Sequence, residues 1–170
     1  ISDRHDRDSM IYSDGAGATI FEAHEVDEEA GVLAHAARSD TIDHARLLWM
    51  GETYDQGNGD DVLYLKMYGR KLYNYALTTV PGVVKKSLDR AGLGLDDVKK
   101  VFLHQANAKM DEAILKRLFK LYGVSEIPEG IMPMTISWLG NSSVATVPTL
   151  VDLVARGELD GQKVSPGDTV

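Results

Sequence analysis

The run Val101-Phe102-Leu103-His104-Gln105-Ala106-Asn107 constrains the fold more than any other stretch of this chain. Its apolar start predicts a short buried strand, and the polar cluster after it predicts a turn into a helix. Asn107 suits an N-cap, and Asp111 and Glu112 follow where negative charge favours the helix dipole. Met110, Ile114, Leu118 and Tyr122 recur at i+4, with Leu115 and Phe119 beside them. Such spacing is one apolar face of a helix packed on a sheet. His104 then falls at the carboxyl end of a strand, where open α/β sheets hold their ligands. A histidine there is either a core residue satisfied by backbone or a functional group.

A second stretch reads the same way. Ile136-Ser137-Trp138-Leu139-Gly140-Asn141-Ser142-Ser143 predicts a strand, a glycine turn and a helix capped by Asn141. Val144, Val147, Leu150, Val151 and Val154 continue that helix until Gly157, and an apolar circumference of this kind predicts burial all round. Upstream lie Ser13-Asp14-Gly15-Ala16-Gly17-Ala18 and Met67-Tyr68-Gly69. In this order, the four stretches resemble the HQAN, GNSS, GDGAGA and M-x-G motifs of the β-ketoacyl-acyl carrier protein synthase III family, in the thiolase superfamily. The similarity covers nearly the whole chain apart from the polar segment near residues 39–61.

The resemblance implies an α/β, thiolase-like fold: a mixed sheet with packed and buried helices. Residues 1–30 would be the end of the N-terminal half, and residues 31–170 the C-terminal half without its last strands. It implies a decarboxylating Claisen condensation of an acyl-CoA with malonyl-acyl carrier protein. His104 and Asn141 would be the two neutral donors that stabilise charge on a thioester oxygen. Lys109, Asn107, Ala106, Gly69 and Tyr73 match positions lining the pantetheine tunnel. Asn74, where some members carry lysine, and Leu139, where many carry histidine, depart from the pattern. Acyl carrier protein and acyl-CoA would be partners, the whole protein a cytoplasmic homodimer, and no cofactor beyond the thioester substrates is implied.

Family members attack the thioester with a cysteine thiolate. This sequence contains no cysteine, begins with Ile1 and stops at Val170, so it reads as a piece of a longer protein whose nucleophile lies elsewhere. Another coenzyme A-dependent synthase of the superfamily, or a noncatalytic thiolase-like subunit, are the alternatives. Lys109, Lys116 and Lys120, with Arg117 nearby, fall roughly on one helix face. That face either docks an acidic carrier protein or is simply solvated.

A length of 170 residues suits one domain with a real core. A net charge of −8 argues against nonspecific nucleic-acid binding. No apolar run approaches the length that crosses a bilayer.

The remainder of the chain is less informative. Residues 1–9 predict a loop of solvated charge, with His5 and the neighbouring aspartates forming no supported metal site. Met10–Tyr12 predicts a strand end and Ala18–Ala23 a second strand, joined by a tight glycine turn where backbones approach. Residues 31–38 predict a strand containing His35, and Asp55–Asp61 a loop. No period is visible through Leu47–Met50. Val62–Leu65 predicts a strand and Met67 onward a helix that Pro81 should kink or interrupt.

Overall fold

A computed structural model describes residues 5–27, 30–55, 57 and 61–170. Asp3 and Arg4 of the charged start, and part of the Asp55–Asp61 loop, lie outside these residues.

A 3-10 helix spans Arg7–Ile11, where a strand end was expected, and Tyr12 then makes an isolated parallel bridge to Asn141. The charge run before it is not wholly solvated. Asp6 is buried and pairs with the Lys66 ammonium, also accepting from Thr53 Oγ1. Buried opposite charges persist only as such a pair, and this one anchors the start of the chain. The strands expected at Ala18–Ala23 and residues 31–38 do not form: these segments carry no regular structure, and His35 is exposed. Helix α1 is the short Thr41–His44 turn. Strand β1, Leu48–Gly51, pairs antiparallel with β2, Tyr64–Met67. The second strand thus begins two residues later than its apolar content suggested, and the first was not visible as a period.

Helix α2, Gly69–Ala91, runs through Pro81 without a break. It stops at Gly92, whose φ of 69° is the left-handed conformation that glycine takes without strain. Helix α3, Ala108–Leu121, is capped as expected: Asn107 Oδ1 accepts from Met110 N at 2.9 Å. Leu115, Leu118 and Phe119 of α3 meet Leu95 and Ile131 in the core, with Val84 and Val101 packed against them. The α3 face therefore packs mainly against α2 and neighbouring loops.

Val101–Leu103 is not a paired strand. Neighbouring backbone reaches this region at separate points, through Val101 N to the Ile131 carbonyl and through a Val98–Thr169 bridge. A ladder needs consecutive partners, and here the contacts are single. Ile136–Leu139 is also no strand but the one-turn helix α4, because the Thr135 carbonyl accepts from both Trp138 and Leu139. Gly140 ends it at φ 70°. Helix α5 is Thr146–Ala155, preceded by a 3-10 turn over Ser143–Ala145. Thr146, Leu150 and Val154 are buried, whereas Val151 is exposed, so α5 buries one stripe and not its whole circumference. Among the described residues no helix is long and apolar enough to cross a membrane.

Candidate active site

Two turns converge at the start of α5. The first carries His104 on the segment leading into α3. Gln105 fixes that turn from beneath: fully buried, it donates from Nε2 to the Leu103 carbonyl at 3.0 Å and accepts at Oε1 from Thr135 N at 2.8 Å. A buried amide with both ends bonded is a rigid seat, and it ties the His104 turn to α4.

The second turn carries Asn141. It does not cap a helix; its Oδ1 accepts from Ser143 N at 2.9 Å, closing a local turn before the 3-10 segment. The same local bond that makes asparagine a good cap operates here one step earlier in the chain. Asn141 is 2% exposed. Its oxygen is engaged, and among the described residues its Nδ2 makes no hydrogen bond. The amide is thereby oriented with its donors unspent.

Residues 12–17 hold this turn from outside. Ser13 N donates to the Asn141 carbonyl at 2.8 Å, and Ser13 Oγ donates to the Leu139 carbonyl at 2.7 Å. The close approach expected of the glycine turn is present. A Cβ on Gly15 would stand 2.5 Å from Ser142 Cβ, and one on Gly17 would stand 2.7 Å from Pro148 Cβ.

His104 and Asn141 are linked through polar groups. His104 Nδ1 lies 2.7 Å from Thr146 Oγ1, which lies 2.9 Å from the Ser143 carbonyl, and Ser143 N reaches Asn141 Oδ1. His104 is exposed as a residue, but partial desolvation of its ring pushes its pKa below the ordinary value, and the Ser143 carbonyl only partly offsets this. A neutral imidazole and a neutral amide, held by one network and adding no negative charge, suit stabilisation of a developing oxyanion.

The other expected site residues divide. Ala106 is half-buried and its N–H closes the turn onto the His104 carbonyl at 3.0 Å. Asn107 is exposed but has its oxygen committed to the helix cap. Gly69 opens α2 at the surface, and Tyr73 lies one turn on, half-buried. Among the described residues no hydrogen bond or ring contact joins Gly69 or Tyr73 to His104 or Asn141. Lys109, Lys116 and Lys120 are exposed and form no ion pair among the described residues. Arg117 differs from them: its Nη1 donates to the Leu77 carbonyl of α2 at 3.1 Å, so part of its role is to join two helices. Sequence reasoning missed Thr146 altogether, and Gln105 had no assigned task although it stands within the HQAN stretch. A threonine two positions ahead of a proline carries no signal of its own; only the folded turn shows what it touches.

Residues 88–170 match the family described as 3-oxoacyl-[acyl-carrier-protein (ACP)] synthase III C terminal. Across its full length the chain is 34% identical to the β-ketoacyl-[acyl-carrier-protein] synthase III of Erythrobacter litoralis, of which it spans 49%. The chain belongs to the β-ketoacyl-[acyl-carrier-protein] synthase III family. The synthase III of Acaryochloris marina is 30% identical over 96% of this chain and 47% of its own length. The chain thus spans about half the length of the curated relatives it matches. Among solved structures, the synthase III of Thermus thermophilus superposes with a TM-score of 0.65 at 22% identity, covering 85% of this chain and 42% of that one. The enzyme of Pseudomonas aeruginosa gives 0.63 at 24%, covering 80% and 38%. These likenesses establish the thiolase-like fold.

Proposed function

We propose that this chain forms the half of a β-ketoacyl-acyl carrier protein synthase III that carries the decarboxylation site. In this reading a malonyl thioester loses carbon dioxide, and the carbanion attacks an acyl group held on a cysteine supplied from outside this sequence. Electrons from the breaking carbon–carbon bond flow toward the thioester oxygen. His104 and Asn141 donate hydrogen bonds to that oxygen while it carries the charge. The observation that supports this most is the polar network from His104 through Thr146 and Ser143 to Asn141, which holds two neutral donors in fixed orientation.

The remaining assignments follow from the same reading. Lys109 meets the phosphate of the pantetheine arm, and Ala106, Asn107, Gly69 and Tyr73 line the passage behind it. Lys116 and Lys120 steer the acidic carrier protein, with Arg117 contributing from a position partly spent on Leu77. The enzyme needs no cofactor beyond its thioester substrates, acts as a homodimer and works in the cytoplasm. The test is direct: the whole protein, given an acyl-CoA and malonyl-acyl carrier protein, should release carbon dioxide and form a 3-oxoacyl thioester. Carbon dioxide release without condensation, or neither, would contradict the proposal.

A further inference from the structure

Thr146 places one hydroxyl between the two turns of the site. The residue is 3% exposed, and its Oγ1 lies 2.7 Å from His104 Nδ1, 3.3 Å from Gln105 N and 2.9 Å from the Ser143 carbonyl oxygen. A hydroxyl has one proton to donate and two lone pairs to accept with. The Gln105 N–H can only donate, so it takes one lone pair. What remains, one proton and one lone pair, is divided between the imidazole and the carbonyl.

Two arrangements are compatible with these contacts. In the first, Thr146 donates to the Ser143 carbonyl and His104 donates from Nδ1–H, which leaves Nε2 of a neutral ring without a proton. In the second, Thr146 donates to Nδ1, and the ring proton sits on Nε2. The Ser143 carbonyl does not depend on the hydroxyl, because the Thr146 backbone N–H already donates to it. Both arrangements therefore leave the carbonyl and Nδ1 paired, and they differ in which ring nitrogen carries the proton.

We propose that Thr146 is a positioning residue that sets the tautomer of His104, donating its hydroxyl proton to Nδ1 and so holding the ring proton on Nε2. This inference rests on the donor role proposed above for His104. Partial desolvation favours the neutral ring, and a neutral imidazole can donate from only one nitrogen. With the proton on Nδ1, the ring would present a lone pair to the thioester oxygen and repel the charge it should stabilise. The Gln105 N–H contact fixes the hydroxyl oxygen, and Gln105 is itself clamped between Leu103 and Thr135. The hydroxyl is thus held where it can only turn its proton between two acceptors.

The experiment uses the whole protein with nitrogen-15-labelled histidine, its ring nitrogens read by NMR at a pH where His104 is neutral. Thr146→Val, Thr146→Ser and, for assignment, His104→Gln are compared with wild type. Wild-type His104 should show the proton on Nε2. T146V should move it to a mixture or to Nδ1, and T146S should keep the wild-type pattern. In parallel, malonyl decarboxylation should fall at least about tenfold in T146V and largely recover in T146S, the scale typical of losing a group that orients an active-site histidine. A wild-type proton on Nδ1, or a T146V spectrum unchanged from wild type, would overturn the proposal. The wild-type spectrum decides the proton placement even if T146V does not fold. A tautomer change with undiminished decarboxylation would support the role of Thr146 and refute the donor role of His104 instead.

Discussion

Arg117 supplies to Leu77 the hydrogen bond that Pro81 withholds. Proline has no N–H, so the carbonyl four residues before it, on Leu77, loses its partner within α2. Arg117 Nη1 on α3 donates to that carbonyl at 3.1 Å, and Leu77 is buried. The helix therefore passes through its proline with the affected carbonyl satisfied from the neighbouring helix.

Removal of this donor should cost stability. Arg117→Ala should destabilise the protein by about 1–2 kcal/mol, the scale of leaving a buried carbonyl unpaired. In a Pro81→Ala background the carbonyl regains an intrahelical partner, and the same arginine change should cost distinctly less. Denaturant unfolding of the four variants checks the coupling. Equal costs in both backgrounds would mean that Arg117 does not compensate for the donor missing at Pro81.

The local signals in the sequence were read correctly where neighbouring residues decide the outcome. Asn107, the first turn behind it and the Ile114–Leu118–Phe119 face are set by side chains within a few positions of one another. Ile136–Leu139 misled because a short apolar run fits a strand or a helical turn equally well. The adjacent Thr135, held by the distant Gln105, decided it. Asn141 was expected to cap the last helix but closes a turn ahead of the 3-10 segment, and the start of α5 moved accordingly. Asp6 looked solvated because its partner, Lys66, is far along the chain. Thr146 was invisible for the same reason: its significance lies in what two separate turns bring to it.

Gly15 and Ser142 provide a second steric test. A Cβ at Gly15 would stand 2.5 Å from Ser142 Cβ, too close without movement of one backbone. Gly15→Ala should destabilise the protein by about 1–3 kcal/mol, as overpacking does. Adding Ser142→Gly removes the opposing atom and should restore most of the loss. Thermal unfolding of both variants measures it, and a G15A protein as stable as wild type would show that the turn is loose.

Asp111 should make stability depend on pH. It is fully buried, neither carboxyl oxygen has a hydrogen bond of normal geometry, and burial raises its pKa to about 7. The N–H groups of Ala106 and Asn107 offset burial only in part. The folded state thus holds a proton that the unfolded state releases near pH 4. This contribution is complete below about pH 4 and is lost as pH rises through about 7, at up to about 1.4 kcal/mol per pH unit. Asp111→Asn should flatten that decline, which denaturant unfolding between pH 4 and 8 would register. An unaltered slope in D111N would assign the pH dependence to other groups.

Charge reversal distinguishes steering from solvation on α3. Lys116→Glu with Lys120→Glu should raise the KM for malonyl-acyl carrier protein several-fold at low salt and leave kcat nearly unchanged. Raising ionic strength should shrink the difference, because screening acts over about 10 Å at 0.1 M. Steady-state kinetics at two salt concentrations measures both effects. An unchanged KM at low salt would place the docking surface elsewhere.

The central claim is that His104 and Asn141 act on charge derived from malonate and not on loading of the acyl group. The most direct measurement compares carbon dioxide release from malonyl-acyl carrier protein with acyl transfer from acyl-CoA onto the whole protein, for wild type, His104→Ala and Asn141→Ala. Each substitution should slow carbon dioxide release by about 10²–10³, the usual cost of one oxyanion donor, while loading stays within a few-fold of wild type. Equal loss of both steps, or decarboxylation at the wild-type rate, would contradict the account.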